Sequence, residues 1–206
     1  MTVVTVQILR LPHGEGLPIP GSWSPNGQVL AYSEQNPMTG WDIWILRLEG
    51  DRKPRPFVQT PSNEDAAIFS PDGHWLAYQS DESGRNEIYV SPFPDPGRKW
   101  QISTEGGHEP LWAPNGRELF YRNAGMMMAA AVVTKPTFAA AKPKLLFRGD
   151  YVGGPFGFRA DYDVSPDGKK FLMVKEAEHQ QAASEINIVL NWSEELKGRV
   201  PAGTKP

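Results

Sequence analysis

The chain has 206 residues, of which 39% are hydrophobic and 22% charged, and its formal net charge at pH 7 is −3. This ordinary globular mix has no polybasic field, so we expect neither nucleic acid nor an anionic membrane surface as a partner. The absence of cysteine from the sequence excludes disulfides, thiol nucleophiles and cysteine-bound zinc. Glycine and proline number 20 each, and their placement between apolar runs predicts many short strands joined by tight turns.

The N-terminal segment alternates apolar and polar residues from Val3 to Ile8. It has no basic start followed by a long apolar run, so it does not have the pattern of a signal peptide. No stretch of the sequence approaches the ~20 apolar residues of a membrane helix. We therefore expect a soluble protein without membrane insertion, and the sequence leaves its native compartment open.

Four near-copies of one motif follow along the chain. Each copy has an apolar residue, Ser or Ala, Pro, Asp or Asn, and Gly, and then an apolar run; the prolines are Pro25, Pro71, Pro114 and Pro166. Proline presets φ for a type I turn, Asp or Asn suits the next position, and glycine accepts a positive φ. The spacings of 46, 43 and 52 residues are typical of β-propeller blades with four strands each.

A third strand is predicted after each strand pair. Three of these strands share an acid, isoleucine, a variable residue and a β-branched residue: Asp42–Ile45, Glu87–Val90 and Glu185–Ile188. In the third unit we place this strand at Met126–Val133. Fourth strands are predicted at Arg55–Gln59, Lys99–Ser103 and Lys144–Phe147, and residues 191–197 are predicted to form a short helix or cap.

The sequence thus predicts an all-β fold of about four four-stranded antiparallel propeller blades plus an N-terminal half-blade. The half-blade follows from the alignment of Val6–Leu11 with Ile43–Leu48. The predicted limits are a half-blade at 1–20, blades at 21–62, 63–105 and 106–152, a final blade and cap at 153–197, and a flexible tail at 198–206. A chance β-sandwich is the alternative. Because open blades expose strand edges and apolar faces, we expect a homodimer that completes an eight-bladed ring.

The run Ser70–Tyr78, followed by the strand Glu87–Val90, resembles the TolB-like, WD-type β-propeller repeat family, and the resemblance extends over all four units. The last stretch, residues 162–192, looks like the C-terminal propellers attached to bacterial serine/threonine protein kinases. The chain itself carries no kinase motif. The resemblance implies a propeller used for binding or sensing, in a family whose members are often periplasmic or part of membrane-anchored sensors.

Motifs of catalysis and metal binding are missing from the sequence. It contains no Gly-x-Ser-x-Gly run, and its four histidines are scattered. The run from Asp161 superficially resembles a calcium loop, but Pro166 takes the place of the required glycine and Leu172 that of the glutamate. We therefore predict no catalytic residue, no metal site and no cofactor.

Polar residues just before the innermost strands are the candidate binding residues. Because innermost strands begin near one mouth of a propeller's channel, these side chains are expected to converge there, either as a plain solvated rim or as a site for a small molecule, peptide or glycan. The set is Glu64, Asp65, His108, Glu109, Arg159 and Asp161.

The leading functional hypothesis is a non-catalytic binding or protein-interaction module. One alternative is a glycosidase-like hydrolase, which would need two acids within about 5–10 Å of each other in a deep pocket. Another is a propeller fragment whose main property is self-association. Repeated aromatic residues are predicted to fill the core between blades rather than to bind ligand: Trp23, Tyr32, Phe69, Tyr78, Trp112 and Tyr121.

Overall fold

The computed structural model describes residue 11 and residues 16–153 and 160–175, which form antiparallel sheets. The first sheet has four strands in chain order: β1 (Pro18–Trp23), β2 (Val29–Asn36), β3 (Gly40–Arg47) and β4 (Pro54–Val58). The second sheet repeats this order with β5 (Glu64–Phe69), β6 (Trp75–Ser80), β7 (Glu87–Pro92) and β8 (Trp100–Gln101). The all-β prediction and its four-stranded units are confirmed.

The third sheet has five strands instead of four. It contains β9 (His108–Trp112), β10 (Glu118–Asn123), β11 (Met126–Val133), β12 (Ala139–Ala140) and β13 (Lys144–Arg148). The long strand β11 pairs with β12 near one end and with β13 near the other. A last pair, β14 (Tyr162–Val164) and β15 (Phe171–Met173), begins a fourth unit.

Some predicted elements fall outside the described residues. These are the strand over residues 6–10, the third strand Glu185–Ile188, the cap at 191–197 and the tail at 198–206. Within the described part of the chain, no helix is long and apolar enough to cross a membrane.

The repeated turn has the geometry predicted for it. In each of the four copies the glycine N–H donates to the carbonyl oxygen three residues earlier, at 2.7 to 2.9 Å. The four turn glycines, Gly27, Gly73, Gly116 and Gly168, have φ between 68° and 72°. Glycine is required there because this left-handed backbone is strained for residues with a Cβ.

The serine before the proline closes the turn with its hydroxyl. Ser70 Oγ donates to Asp72 Oδ1 at 2.6 Å and accepts the Trp75 N–H at 3.0 Å. Ser24 and Ser165 make the same pair of bonds in their own turns. Ala113 stands at this position in the third unit, so that turn lacks the hydroxyl.

A β-bulge interrupts the first strand of each complete sheet. The pairing shifts between Asp65 and Ile68 in β5 and at the matching place in β9, while β1 shifts between Pro20 and Ser22. Ala66 and Glu109 hold the equivalent bulge position, with φ of 53° and 56°. The bulge breaks the alternation of inward and outward side chains, so it redirects the residues at the start of each first strand.

Three apolar clusters lie between successive sheets. Ala31, Phe69 and Tyr78 belong to the cluster between the first and second sheets, and the other two clusters fill the next two seams. Five of the six repeated aromatic residues are buried as predicted: Tyr32, Phe69, Tyr78, Trp112 and Tyr121.

The prediction is wrong for Trp23, which is 50% exposed. Its equivalents Phe69 and Trp112 pack against the sheet that precedes their own. The described residues contain no sheet before β1, so Trp23 has no such neighbour there.

Candidate functional site

Most of the candidate binding residues lie at one end of the sheets, which we call the strand-start end because β5, β9 and β14 begin there. Glu64 and Asp65 are the first two residues of β5, and His108 and Glu109 are the first two of β9. Asp161 directly precedes β14. The sixth candidate, Arg159, lies outside the described residues. The connections between successive sheets are at this same end.

Glu109 is the centre of a buried polar network. Its Oε2 atom accepts the Asp161 N–H at 3.1 Å and lies 3.5 Å from Arg122 Nη1. Its backbone oxygen accepts the Tyr162 hydroxyl at 2.9 Å, and its N–H donates to Gln79 Oε1 at 3.1 Å. Glu109 therefore links the second, third and fourth units, since Gln79 and Tyr162 belong to its two neighbours.

Arg122 extends the network into the connection after β13. Its Nη1 and Nη2 atoms donate to the carbonyl oxygens of Val152 and Tyr151, each at 2.8 Å. A guanidinium that is almost wholly buried needs such partners, because an unpaired buried charge is very costly. This arrangement fixes the connection that leads toward β14.

Asp65 lies in the same row of first strands and is only 8% exposed. Burial raises the pKa of Asp65 to about 8, with smaller upward effects from the charges of Asp81 and Glu64 and a downward effect from a hydrogen bond to Gln79. Its Oδ1 atom has no hydrogen-bond partner. At neutral pH this carboxyl group is therefore largely protonated, and it can donate a proton or a hydrogen bond.

Glu64 is completely buried. The Thr60 hydroxyl and N–H both donate to its carboxyl group. Burial is the main cause that raises the pKa of Glu64 to about 7, and the charges of Asp42 and Glu82 add to it. Glu64 is thus part of the packing under the β4–β5 connection rather than an open rim residue.

The strand-start end brings Asp65, Glu109 and Asp161 into one row. Gln79 bonds both Asp65 and the Glu109 N–H, and the Asp161 N–H donates directly to Glu109. Half-buried His108 lies opposite Arg122 in the β9–β10 pairing. Sequence reasoning missed Gln79 and Arg122 because they lie on second strands. The repeat held a signal for them, since each residue stands eight positions after its turn proline.

The described surface includes two shallow depressions. One, of about 440 Å³, is lined by residues 124–126 and 148–150, next to the connection that Arg122 holds. The other, of about 430 Å³, is lined by Glu82, Ser83, Tyr89, Lys99 and Gln101. Within the described ranges, no group of three or more His, Asp or Glu side chains is placed to hold a metal ion.

No protein-family model matches the chain. A putative TolB from Agrobacterium tumefaciens has a TM-score of 0.59 at 16% identity, over 79% of this chain and 58% of that one. TolB from Acinetobacter baumannii has a TM-score of 0.58 at 19% identity, over 80% of this chain and 39% of that one. A putative 6-phosphogluconolactonase from Bacteroides uniformis has a TM-score of 0.52 at 16% identity, over 77% and 48% of the two chains.

These likenesses show the fold, a TolB-like β-propeller, and the fold alone. The chain spans 58% and 39% of the two TolB structures, so it corresponds to a part of their length.

Proposed function

We propose that this chain is a non-catalytic β-propeller interaction module that binds a protein or small-molecule ligand at its strand-start end. The observation that carries the proposal is the network around Glu109, which joins three successive units and fixes the connections at that end. Rigid strands that position connecting loops are the usual frame of a binding surface. The TolB-like fold supports the proposal, since interaction modules are common among propellers.

The surface at this end supplies mixed polar contacts. His108 and Asp161 are half-buried beside the buried pair of Glu109 and Arg122, and Asp65 is almost wholly buried behind this surface. Glu109 and Arg122 already bind partners within the protein, so their role is to position the residues of this surface. Ligand contacts fall to His108, Asp161 and the loops next to them.

The proposal is tested by site-specific photo-crosslinking in the native host. A photoreactive amino acid replaces His108 or Asp161 in one set of variants and Asn115, in a turn at the opposite end, in the control. We expect cross-linked species with a partner from the strand-start positions and none from Asn115. Equal cross-linking at both ends, or none from His108 and Asp161, would contradict the proposal.

We further propose that a second copy of the chain packs on the outer face of the β14–β15 pair. Leu172 on this face is 71% exposed and Val174 is 55% exposed. The residues equivalent to Leu172 in the earlier units are Ala31, Ala77 and Phe120, each at most 2% exposed because the next sheet covers them. This face therefore has the side chains of a blade seam, and a dimer would bury it.

A hydrolase is the second candidate, and one observation favours it. Asp65 combines near-complete burial, a pKa of about 8 and an Oδ1 atom without a partner, which are the features of a general acid. If the chain hydrolyses chromogenic glycosides or lactones, Asp65→Asn should abolish the activity while the fold is kept. No hydrolysis by the wild-type chain leaves the binding module as the better proposal.

Finally, we propose that the module acts as the sensing or docking part of a larger assembly. The resemblance of the last unit to propellers attached to bacterial serine/threonine protein kinases supports this idea.

A further inference from the structure

The outer edge of each sheet is the one farthest from its first strand, and this edge differs in the third sheet. In the first sheet the outer strand is β4, where Pro54 and Pro56 have no backbone N–H to donate. In the second sheet the outer strand β8 has only two residues. The outer strand β13 of the third sheet has five residues and no proline. Since prolines and short strands are common ways to block an exposed edge, the edge of β13 is the most open of these.

Strand β13 is paired on one side. Its register partners lie in β11, with Lys144 opposite Ala129 and Arg148 opposite Met126, and no described strand pairs with its other edge. About half of the backbone N–H and C=O groups of such a strand point away from its single partner. These groups can therefore bond to an added strand.

The side chains of β13 are also accessible. Leu145 and Leu146 are each 44% exposed, and Leu146 has no register partner because the pairing shifts beside it. Phe147 is the half-buried residue of the strand, and its ring packs against those of Tyr151 and Phe171. These ring contacts and the bonds to β11 hold β13 in place, so both leucines can contact the apolar side chains of a partner.

The surface around β13 is basic, although the whole chain has a net charge of −3. Between Glu118 and Asp150 the sequence contains neither aspartate nor glutamate. Four exposed basic residues lie in this stretch: Lys135, Lys142, Lys144 and Arg148. Within the described part of the chain, the salt bridges involve other side chains. A partner with acidic side chains would complement this charge.

We propose that the outer edge of β13 binds an extended peptide segment of acidic and apolar residues, which adds to the third sheet as a further strand. Backbone bonds to β13 supply affinity, Lys144 and Arg148 attract the acidic side chains, and Leu145 and Leu146 contact the apolar ones. The depression of about 440 Å³ includes Arg148 in its lining, so it can receive a side chain at one end of the peptide. An extended peptide fits this edge better than a lipid surface or a nucleic acid, because neither of those continues a β-ladder.

This site goes beyond the proposed ligand surface around His108. Strand β9, which begins at His108, lies at the opposite edge of the same sheet from β13. The chain can therefore bind a partner at one edge and not at the other, and separate experiments report on the two.

The first test is fluorescence anisotropy of the full chain with labelled synthetic peptides. A peptide of alternating glutamate and valine should bind saturably. The same peptide N-methylated at alternate residues lacks the N–H donors of one edge, so its affinity should be about tenfold lower or less, since each lost backbone bond weakens binding several-fold. A peptide with lysine in place of glutamate should not bind, because its charge repels the basic edge.

Charge reversal in the chain is the second test. Lys144→Glu combined with Arg148→Glu should weaken binding of the glutamate–valine peptide about tenfold or more, because two attractive pairs become repulsive. The matched control is Lys53→Glu combined with Arg55→Glu. These two exposed basic residues lie beside and within β4, where prolines block the edge, so the control should bind as the wild type does.

Three results would overturn the proposal. The first is a wild-type chain that does not bind the glutamate–valine peptide at about 1 mM; if it binds phosphatidylglycerol vesicles instead, the basic surface serves a membrane. The second is equal affinity for the N-methylated peptide, which would show attraction of charges without strand addition. This result needs no variant of the chain, so it decides the question even if the double variant does not fold. The third is the same affinity in the two double variants.

Discussion

Single residues decide the stability of the repeated turn. Gly73→Val should lower the free energy of unfolding by ~1–3 kcal/mol, because φ at this position is 71° and a β-branched residue is strained there. An added Cβ would also stand 3.3 Å from Cδ of Pro25 in the preceding turn. Urea unfolding monitored by tryptophan fluorescence measures the loss.

Gly27→Val is the matched control for this change. Gly27 has φ of 69°, but a Cβ there meets nothing within 4 Å. The two variants therefore share the backbone strain, and the excess loss in Gly73→Val reports the contact between turns. Unchanged unfolding in both variants would mean that the turn assignment is wrong.

The serine of the repeated turn leads to a prediction of increased stability. Ala113→Ser should stabilise the chain by ~0.5–1.5 kcal/mol, because a hydroxyl there can bond Asn115 and the Glu118 N–H as Ser70 bonds its own turn. Ser70→Ala should cost a similar amount. If Ala113→Ser instead destabilises the chain in chemical unfolding, the third turn has no room for the hydroxyl.

At this scale the sequence predicted turn residues far better than site residues. The role of Gly73 follows from the backbone conformation of the turn, which the four residues Ser70–Gly73 specify. The orientation of Asp65 and Glu109 depends on a bulge with positive φ at Ala66 and Glu109, and neither residue type requires such a φ. Strand alternation alone therefore could not show which of these acids are buried.

At the scale of elements, the first seam and the start of β5 should make folding stability fall as pH rises. In the folded chain the pKa of Asp65 is about 8 and that of Glu64 about 7, both above their ordinary values of 3.8 and 4.5. Between the ordinary and the raised values the folded state binds more protons than the unfolded state, so stability decreases with pH by up to roughly 1.4 kcal/mol per pH unit for Asp65.

Asp65→Asn isolates this effect. In EDTA, the Tm of the wild type should fall as the pH rises from about 6 to about 8.5. The Tm of Asp65→Asn should fall less, so that the variant is the more stable protein at about pH 8.5. Hydrogen bonds lower the pKa values of Asp51, Asp72 and Asp167. These three carboxyl groups therefore titrate at acid pH and do not contribute to the change between about pH 6 and about pH 8.5. Asp95→Asn, exposed on a loop, should keep the wild-type slope. Parallel curves for wild type and Asp65→Asn would refute the assigned pKa.

The sequence predicted the strands that belong to the repeat and missed a strand that lies outside it. Met126–Val133 was placed correctly because its register follows from the turn before β10, although its sequence is poor in β-branched residues. The short strand Ala139–Ala140 was missed, since two alanines carry no strand signal and pair only because β11 is long enough to offer an edge. Phe138, beside it, packs against Trp75 and Trp100 in the second seam.

At the scale of the whole molecule, the repeat explains both the buried seams and the exposed face. The same position is filled by Ala31, Ala77, Phe120 and Leu172, and only the last is open to solvent. The sequence alone predicted that apolar side chains fill each seam between sheets, because every unit repeats its apolar positions. The sequence could not predict how many units pack in succession. That number depends on which surface covers Leu172, and the identity of Leu172 does not specify this surface.

The dimer proposal is decided by this residue. Wild-type chain should show a mass of twice 22.9 kDa in light scattering on a sizing column, and Leu172→Asp should return it to a single chain, since a buried unpaired charge opposes a dry seam. Met38→Asp is the control, because Met38 is 89% exposed on the hairpin between β2 and β3 and outside this face. A wild type that stays monomeric at all concentrations, or a dimer that survives Leu172→Asp, would exclude the face around β15 as its contact.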